Sequence, residues 1–278
     1  MAQPEEKPLQ GKIAVVTGAT RNAGRGIAIE LGIAGATIYC TGRSIRGNPS
    51  PLNEPETIEE TAEMVDASGG KGIWVRVDHT VPGEVEALFD RVLQEQGKID
   101  LLVNNVAGGG GAGTSDERFL QIPLKSGLQQ IVQGGHSHII ATYFAARRMA
   151  EAGYGLIISI NDQEWDPPFY AMEKALINRI AISVADELRP NGVTVISLHP
   201  GAFFRCFKIM TEEALRTAVE QDPTVAKCHT PRLIGRAVVA LASDPHVLQK
   251  TGTLIKIQDL VYGYGLTDID GRQTGEMW

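Results

Sequence analysis

The sequence predicts an α/β protein built on a doubly wound, seven-stranded parallel sheet with helices on both faces. Short apolar and β-branched runs alternate with stretches of helical apolar spacing along the chain, which is the pattern of strands joined by crossover helices. The first such run, Ile13-Ala14-Val15-Val16-Thr17, breaks at Gly18 and resumes as a helical pattern, so it reads as strand, tight turn, helix. With 278 residues, 43% of them hydrophobic, and no internal repeat, the chain can bury one large core. The expected organisation is a polar tail over residues 1–10 and a single domain over 11–278.

The elements follow in order. After the strand at Ile13–Thr17, a helix is expected over about Gly24 to Leu31. Residues 37–41, Thr-Ile-Tyr-Cys-Thr, form the second strand. Residues 46–55 are a proline-rich loop, and Thr57–Ser68 has helical spacing with Ile58 and Met64 or Val65 on one side. Ile73–Val77 is the third strand, ending in Asp78-His79-Thr80. Pro82–Gln96 is an amphipathic helix with Val85, Leu88, Phe89 and Val92 as its stripe. The fourth strand, Ile99–Val103, runs into Asn104-Asn105-Val106-Ala107-Gly108, and the glycine run 108–113 begins a loop that reaches Pro123 over the strand ends. A long helix over 126–152, bent at Gly134-Gly135, leads to the fifth strand, Gly155–Ile160. A helix from about Pro168 to Leu188 leads to the sixth, Val193–Leu198, which ends in His199-Pro200-Gly201. Residues 202–230 are a partly helical excursion, either a flap over substrate or an oligomer contact. A helix at Pro231–Ser243 and a strand at Thr253–Ile257 complete the sheet.

A net charge of -7 and a pI near 5.4 leave no basic stripe for a phosphate backbone, so no nucleic-acid partner is expected. No run of about 18 apolar residues predicts a membrane span, and no secretory leader is read at the start; a cytoplasmic location follows as the expectation. Cys40, Cys206 and Cys228 lack metal-ligand spacing and are expected as reduced thiols. No metal site is expected.

Gly18 and Gly24 lack the side chains that would keep the backbone away from a bound pyrophosphate, and a helix starting there points free N–H groups at it. Asn22 stands where a related motif has glycine; asparagine tolerates positive φ, so the turn survives. At the end of the second strand of such a unit an acidic residue receives a ribose 2′-hydroxyl, whereas arginine accommodates a 2′-phosphate. Arg43 stands there, Arg21 lies in the first turn, and no Asp or Glu occurs between Ala34 and Leu52, which favours NADP. In Tyr170-Ala171-Met172-Glu173-Lys174 the tyrosine and lysine, four apart, share one helix face, so the ammonium can lower the phenol's pKa and reach the cofactor ribose. Such a tyrosine can exchange a proton with a carbonyl oxygen while a nicotinamide exchanges hydride with its carbon.

The order T-G-A-T-R-N-A-G at 17–24, Asp78, N-N-V-A-G at 104–108, Y-A-M-E-K at 170–174 and P-G at 200–201 resembles the short-chain dehydrogenase/reductase family, with its Rossmann fold, over about residues 11 to 258. Within the family it looks most like the dehydrogenase/reductase member 1 subgroup, whose C-terminal pattern is similar to residues 264–272, Tyr-Gly-Leu-Thr-Asp-Ile-Asp-Gly-Arg. The resemblance implies an NADP(H)-dependent oxidoreductase acting on a small-molecule carbonyl or alcohol, with Tyr170 as general acid/base. It implies Gly18, Thr20, Arg21, Asn22 and Gly24 around the diphosphate and adenosine, Arg43 at the 2′-phosphate and Asp78 near the adenine. Asn104 would support the central segment, Lys174 the nicotinamide ribose, and the backbone after Pro200-Gly201 the carboxamide. It further implies a homodimer or homotetramer formed through the helices at 126–152 and 168–189.

Two positions depart from the family. Its catalytic serine falls on Asn161 or Asp162, with no Ser or Thr between Ile160 and Tyr170. An Asn amide can donate to a substrate carbonyl, whereas an ionised Asp162 can only accept; Asp162 either faces another group, is protonated, or caps the loop. The family's helix asparagine falls on His138, expected as a relay partner of Lys174 or a contact to Asp162. Trp165 and Phe169, with Phe203, Phe204, Phe207, Ile209 and Met210, suggest an apolar or aromatic substrate. Without the serine, a non-redox step such as isomerisation, dehydration or cyclisation, drawing on Glu164 and Asp166, or an NADP-binding sensor stands as the alternative.

Overall fold

In the computed structural model, which describes residues 7–49, 54–107, 117–162, 167–201, 203 and 206–273, the strands are β1 (Ile13–Thr17), β2 (Thr37–Gly42), β3 (Lys71–Arg76), β4 (Leu101–Asn104), β5 (Gly155–Ile160), β6 (Val193–His199) and β7 (Leu254–Lys256). They form one sheet in the order β3-β2-β1-β4-β5-β6-β7, every neighbouring pair parallel. This is the doubly wound fold expected. The helices are α1 (Asn22–Ile33), α2 (Ile58–Ala67), α3 (Pro82–Gln96), α4 (Leu124–Ile131), α5 (Ser137–Ala152), α6 (Pro168–Leu188), α7 (Glu212–Gln221), α8 (Pro231–Ser243) and α9 (Ile257–Tyr264).

Successive strand residues point to opposite faces, and each face has its own core. Ala14, Val16, Val103, Ile158 and Ile196 pack against Ala23, Ile27 and Leu31 of α1 and Leu233, Ile234 and Ala237 of α8. Ile13, Val15, Leu102, Ile157 and Val195 pack against Val85 and Phe89 of α3, Ala141 and Ala145 of α5 and Ala181 of α6. Each fully buried Val, Leu, Ile or Phe contributes roughly 1.5–3 kcal/mol, so both layers are pinned and every strand delivers its carboxyl end to one edge. The strand order reverses between β1 and β4, which opens a crevice at that edge.

Four expectations are revised. Leu9, assigned to the tail, is buried and donates its N–H to Ala34 O (2.8 Å). β3 begins at Lys71 rather than Ile73, because an edge ladder pairs by backbone and its register opens with Lys71 opposite Thr37. α9 was not expected; its buried Ile257, Leu260 and Val261 carry the i, i+3, i+4 signal, but Gly263 and Gly265 mask it. The long helix starts at Leu124 and passes from α4 to α5 through a π-helical turn, Val132–His136, rather than a bend. A Cβ on Gly134 would lie 2.0 Å from Glu173 Oε1, so the glycine lets α6 close onto this turn; π turns of this kind often mark functional sites.

The C-terminal pattern has a structural task. Asp268, buried, accepts from the Thr230 backbone N (2.7 Å) and Oγ1 (2.6 Å). Thr230 in turn caps α8, its Oγ1 accepting from Arg232 N (3.2 Å), and Arg236 Nη1 donates to the carbonyls of Thr267 (2.6 Å) and Asp268 (2.8 Å). Asp268→Asn, which leaves one buried donor facing an amide, is expected to cost about 1–3 kcal/mol of stability, read as a lowered denaturant midpoint; an unchanged midpoint would mean that the tether adds nothing to stability.

Candidate active site

A cavity of about 320 Å³ occupies the crevice, walled by the β1–α1 turn, the ends of β2, β3 and β4, and Tyr170 of α6. Its floor is the first turn. Gly18 has φ 64° and Asn22 φ 51°, so asparagine does take the left-handed conformation in place of glycine. A Cβ on Gly24 would stand 2.3 Å from Gly18 O, so nothing larger fits there. The turn is held from β4: Asn105 Nδ2 donates to Gly18 O (3.0 Å) and Asn105 N to Thr17 Oγ1 (2.9 Å). Asn104 beside it is fully buried and donates Nδ2 to Thr142 Oγ1 (2.9 Å), tying β4 to α5. The second asparagine of N-N-V-A-G was missed as a site residue; its alternation with a strand-end residue was the available signal.

The cavity's far end carries the two arginines. Arg21 reaches Glu56 at 3.6 Å, yet its buried Nε and Nη2 have no hydrogen-bond partner. Arg43 Nη1 lies 3.9 Å from Asp78 Oδ2. Burial pushes the Asp78 carboxyl up, but hydrogen bonds from Thr80 and the Arg43 charge outweigh it and hold the group below its usual range. Thr20 also lines this region. His79, also on the wall and unassigned by sequence, is buried against Thr41 Oγ1 (2.8 Å) and burial lowers it to about 4, so its ring is neutral.

Unpartnered guanidinium nitrogens and a glycine cradle closed to any Cβ suit a phosphate-bearing dinucleotide. The residues expected to hold one, Gly18, Thr20, Arg21, Asn22, Arg43 and Asp78, all line the same cavity, with Gly24 directly beneath. Pro200 and Gly201 lie beyond the end of β6, buried, Gly201 at φ 70°.

At the other end, Lys174 Nζ sits over the Tyr170 ring, 4.8 Å from its centre. The phenol is pushed up, not down as the spacing suggests, by burial first and then by the charges of Asp162 and Glu173. Lys174 does not offset these: its Nζ pairs with Glu173 Oε1 at 3.1 Å and lies over the ring face. Glu173, wholly buried, also accepts from Gln130 Nε2 of α4. It was overlooked within Y-A-M-E-K, although an acid on a helix's buried face is itself a signal.

The two candidates for the missing serine separate. Asn161 turns its Nδ2 to Lys174 O (3.0 Å) and so anchors α6. Asp162 is nearly buried, its Oδ1 3.4 Å from His199 Nε2. His199 Nδ1 accepts from Gly201 N (3.1 Å), which puts the imidazole proton on Nε2, facing Asp162. His199, passed over as a strand end, is thus the group set against Asp162. His138 is buried and its Nε2 donates to Val106 O (3.0 Å); burial and the nearby Lys174 charge lower it to about 3. Asp162 thus has His199 as a neighbour, which the sequence did not suggest, while His138 turns its Nε2 to Val106 O. His136 is exposed.

Phe169 is not among the residues that line the cavity: it stacks on Phe119 (5.2 Å between ring centres) and covers Gly127. Phe203 and Phe207, packed edge to face at 5.1 Å, give the cavity its aromatic surface. Trp165, Glu164, Asp166, Phe204, Arg205, Ala202 and the glycine run 108–113 lie outside the described residues. Among the described residues no helix is long and apolar enough to cross a membrane, and no three His, Cys, Asp or Glu side chains gather as metal ligands would.

A family model described as short chain dehydrogenase matches residues 12–205. The chain is 35% identical to "Dehydrogenase/reductase SDR family member 1" of Mus musculus over 283 residues, covering 95% of this chain and 85% of that protein, and equally to the Homo sapiens protein over 280 residues with the same coverage. It is 26% identical to "7alpha-hydroxysteroid dehydrogenase" of Escherichia coli strain K12, over 84% of this chain and 88% of that one. Among solved structures it superposes on a hydroxysteroid dehydrogenase from Escherichia coli with a TM-score of 0.71 at 24% identity, covering 91% of this chain and 98% of that one. A short chain dehydrogenase from Mycobacterium thermoresistibile gives a TM-score of 0.75 at 22% identity, with 94% and 90% covered.

Proposed function

The chain belongs to the short-chain dehydrogenase/reductase family, and from that premise we propose that it is an NADP(H)-dependent oxidoreductase interconverting a ketone or aldehyde with its alcohol. The observation that carries the reading is Tyr170 in the wall of the same cavity whose floor is the glycine turn, with Lys174 one helical turn on and 4.8 Å from the ring. A bound nicotinamide supplies hydride to, or takes it from, the substrate carbon. Tyr170 O–H donates its proton to the substrate oxygen in reduction and receives it in oxidation. Lys174 holds the ribose side of the site, while Gly18, Thr20, Asn22 and Gly24 leave room for the diphosphate. Arg21 and Arg43 meet the 2′-phosphate, and Asp78 borders the adenine end. Asn161 fixes α6, and Asp162 with His199 flanks the substrate oxygen where the family has serine, with His138 closing the site behind Lys174. Phe203 and Phe207 favour an apolar or aromatic substrate.

The test is NADPH consumption against aromatic and aliphatic ketones, aldehydes and quinones. Carbonyl-dependent consumption supports the reading, and its absence across the panel despite tight NADPH binding overturns it. A second reading rests on the Asp162–His199 pair, which could serve acid–base chemistry in a non-redox step; substrate loss without NADPH loss would assign it.

The protein is proposed to work in the cytoplasm as a homodimer or homotetramer. Leu124, Leu128, Val132, Ile139 and Tyr143 on α4, the π turn and α5, with Met172 and Ile182 on α6, are exposed, an apolar face suited to a second copy of the chain. Light scattering is expected to give two or four times 29.9 kDa; the mass of one chain would overturn this.

A further inference from the structure

Glu173 is 0% exposed, and a carboxylate in such a place costs several kcal/mol to desolvate unless it is paired. Its partners are specific. It accepts from Gln130 Nε2, itself buried, and pairs with Lys174 Nζ at 3.1 Å. The room for it is made by Gly134 in the π turn, where any side chain would occupy the position of Oε1. α4, the π turn and α6 thus converge on one carboxylate. Residues 170 and 173 are three apart, neighbours on the helix surface, so the charge lies close to Tyr170 while its partner Lys174 stays over the ring face.

Resting on the oxidoreductase reading, we propose that Glu173 is a positioning residue that keeps Tyr170 in its proton-bearing form, by pairing with Lys174 and setting a negative charge one turn from the phenol. The titratable and charged groups around the phenol, among the described residues, are Lys174 and Glu173 of α6, Asp162 after β5 with His199 of β6 against it, His138 of α5 facing Lys174, and His79 on the opposite wall. His138 and His79 are neutral, so Lys174 is opposed by two carboxylates. That balance agrees with the upward displacement of the phenol, in which Glu173 follows burial and Asp162.

The consequence is a proton donor that survives alkaline conditions. In reduction the carbonyl carbon gains hydride from the nicotinamide, which is oxidised, and the C=O π bond breaks. The Tyr170 O–H bond then breaks as the alcohol O–H forms, and the phenolate takes its next proton from solvent. Removing the Glu173 charge favours the phenolate, so the phenol titrates lower and reduction fails at lower pH.

The test uses the full chain carrying Glu173→Gln or Glu173→Asp. Tyr170 ionisation is read as near-ultraviolet phenolate absorbance, each protein minus its own Tyr170→Phe counterpart. Glu173→Gln is expected to show about tenfold more Tyr170 phenolate at a fixed pH near 10, a shift of about one unit, and the alkaline limb of kcat/KM for reduction should move down equally. Glu173→Asp, which retracts the charge from Lys174, is expected to fall between wild type and Glu173→Gln, and it carries the test alone if the Gln variant does not fold. A Tyr170 titration unchanged or moved upward in the folded variants overturns the proposal. If no carbonyl is reduced by wild type, the oxidoreductase reading fails while the absorbance titration still decides the role of Glu173; if carbonyls are reduced and the titration does not move, only the role of Glu173 fails.

Discussion

Tyr170→Phe is expected to lose turnover by about 100- to 10,000-fold, the range general acid–base groups contribute, while binding NADPH as tightly as wild type. The substitution deletes one oxygen. Phenylalanine keeps the ring under Lys174 Nζ, 4.8 Å away, so the cation–π contact and the Lys174–Glu173 pair at 3.1 Å persist. The nucleotide floor, built from Gly18, Asn22 and Gly24 and held by Asn105, is untouched. Affinity and turnover therefore separate, and that separation distinguishes a proton donor from a packing residue. Turnover within tenfold of wild type would take the proton from elsewhere, and Asp162, 3.4 Å from His199, would be the next group to remove.

The sheet was legible because each strand's apolar run was bounded by glycine, proline or a polar cluster, and those boundaries are local. What was not legible depended on partners distant in sequence. The π turn needs Gly134 to meet Glu173, 39 residues on by the numbering, and no periodicity within the helix records that. The same holds for the phenol. A tyrosine and lysine four apart suggest a lowered pKa when the helix is considered alone. Burial, Asp162 just after β5, and Glu173 three residues on along the same helix reverse it. His199 was invisible for a related reason: as a strand-end residue it has no pattern, and only the parallel pairing of β5 with β6, which aligns Ile160 with Leu198, brings it beside Asp162. Phe169 errs the other way, for an aromatic next to a candidate catalytic tyrosine invites a substrate role, yet on a helix consecutive residues point apart and it packs on Phe119.

The double substitution Arg21→Ala with Arg43→Ala is expected to weaken NADPH binding by about 100- to 10,000-fold and to leave NADH within a few-fold of wild type. A hydrogen bond to a charged group contributes roughly 1.5–3 kcal/mol, about 1.4 kcal/mol corresponds to tenfold, and two guanidinium groups share one 2′-phosphate. Neither arginine is already satisfied. Arg21 leaves two buried nitrogens without a hydrogen-bond partner, and Glu56, 3.6 Å from one of them, Nε, is itself engaged by Lys208 Nζ at 3.0 Å. Arg43 is 3.9 Å from Asp78, whose Oδ1 accepts from both Thr80 N (3.0 Å) and Oγ1 (2.7 Å). A dianionic phosphate would therefore displace no strong pair. Because NADH lacks only that phosphate, the ratio of the two dissociation constants isolates it from the diphosphate contacts. A ratio that stays constant in the double variant would move both arginines from the 2′-phosphate to the diphosphate, and an unchanged affinity for both nucleotides would leave them as surface charges.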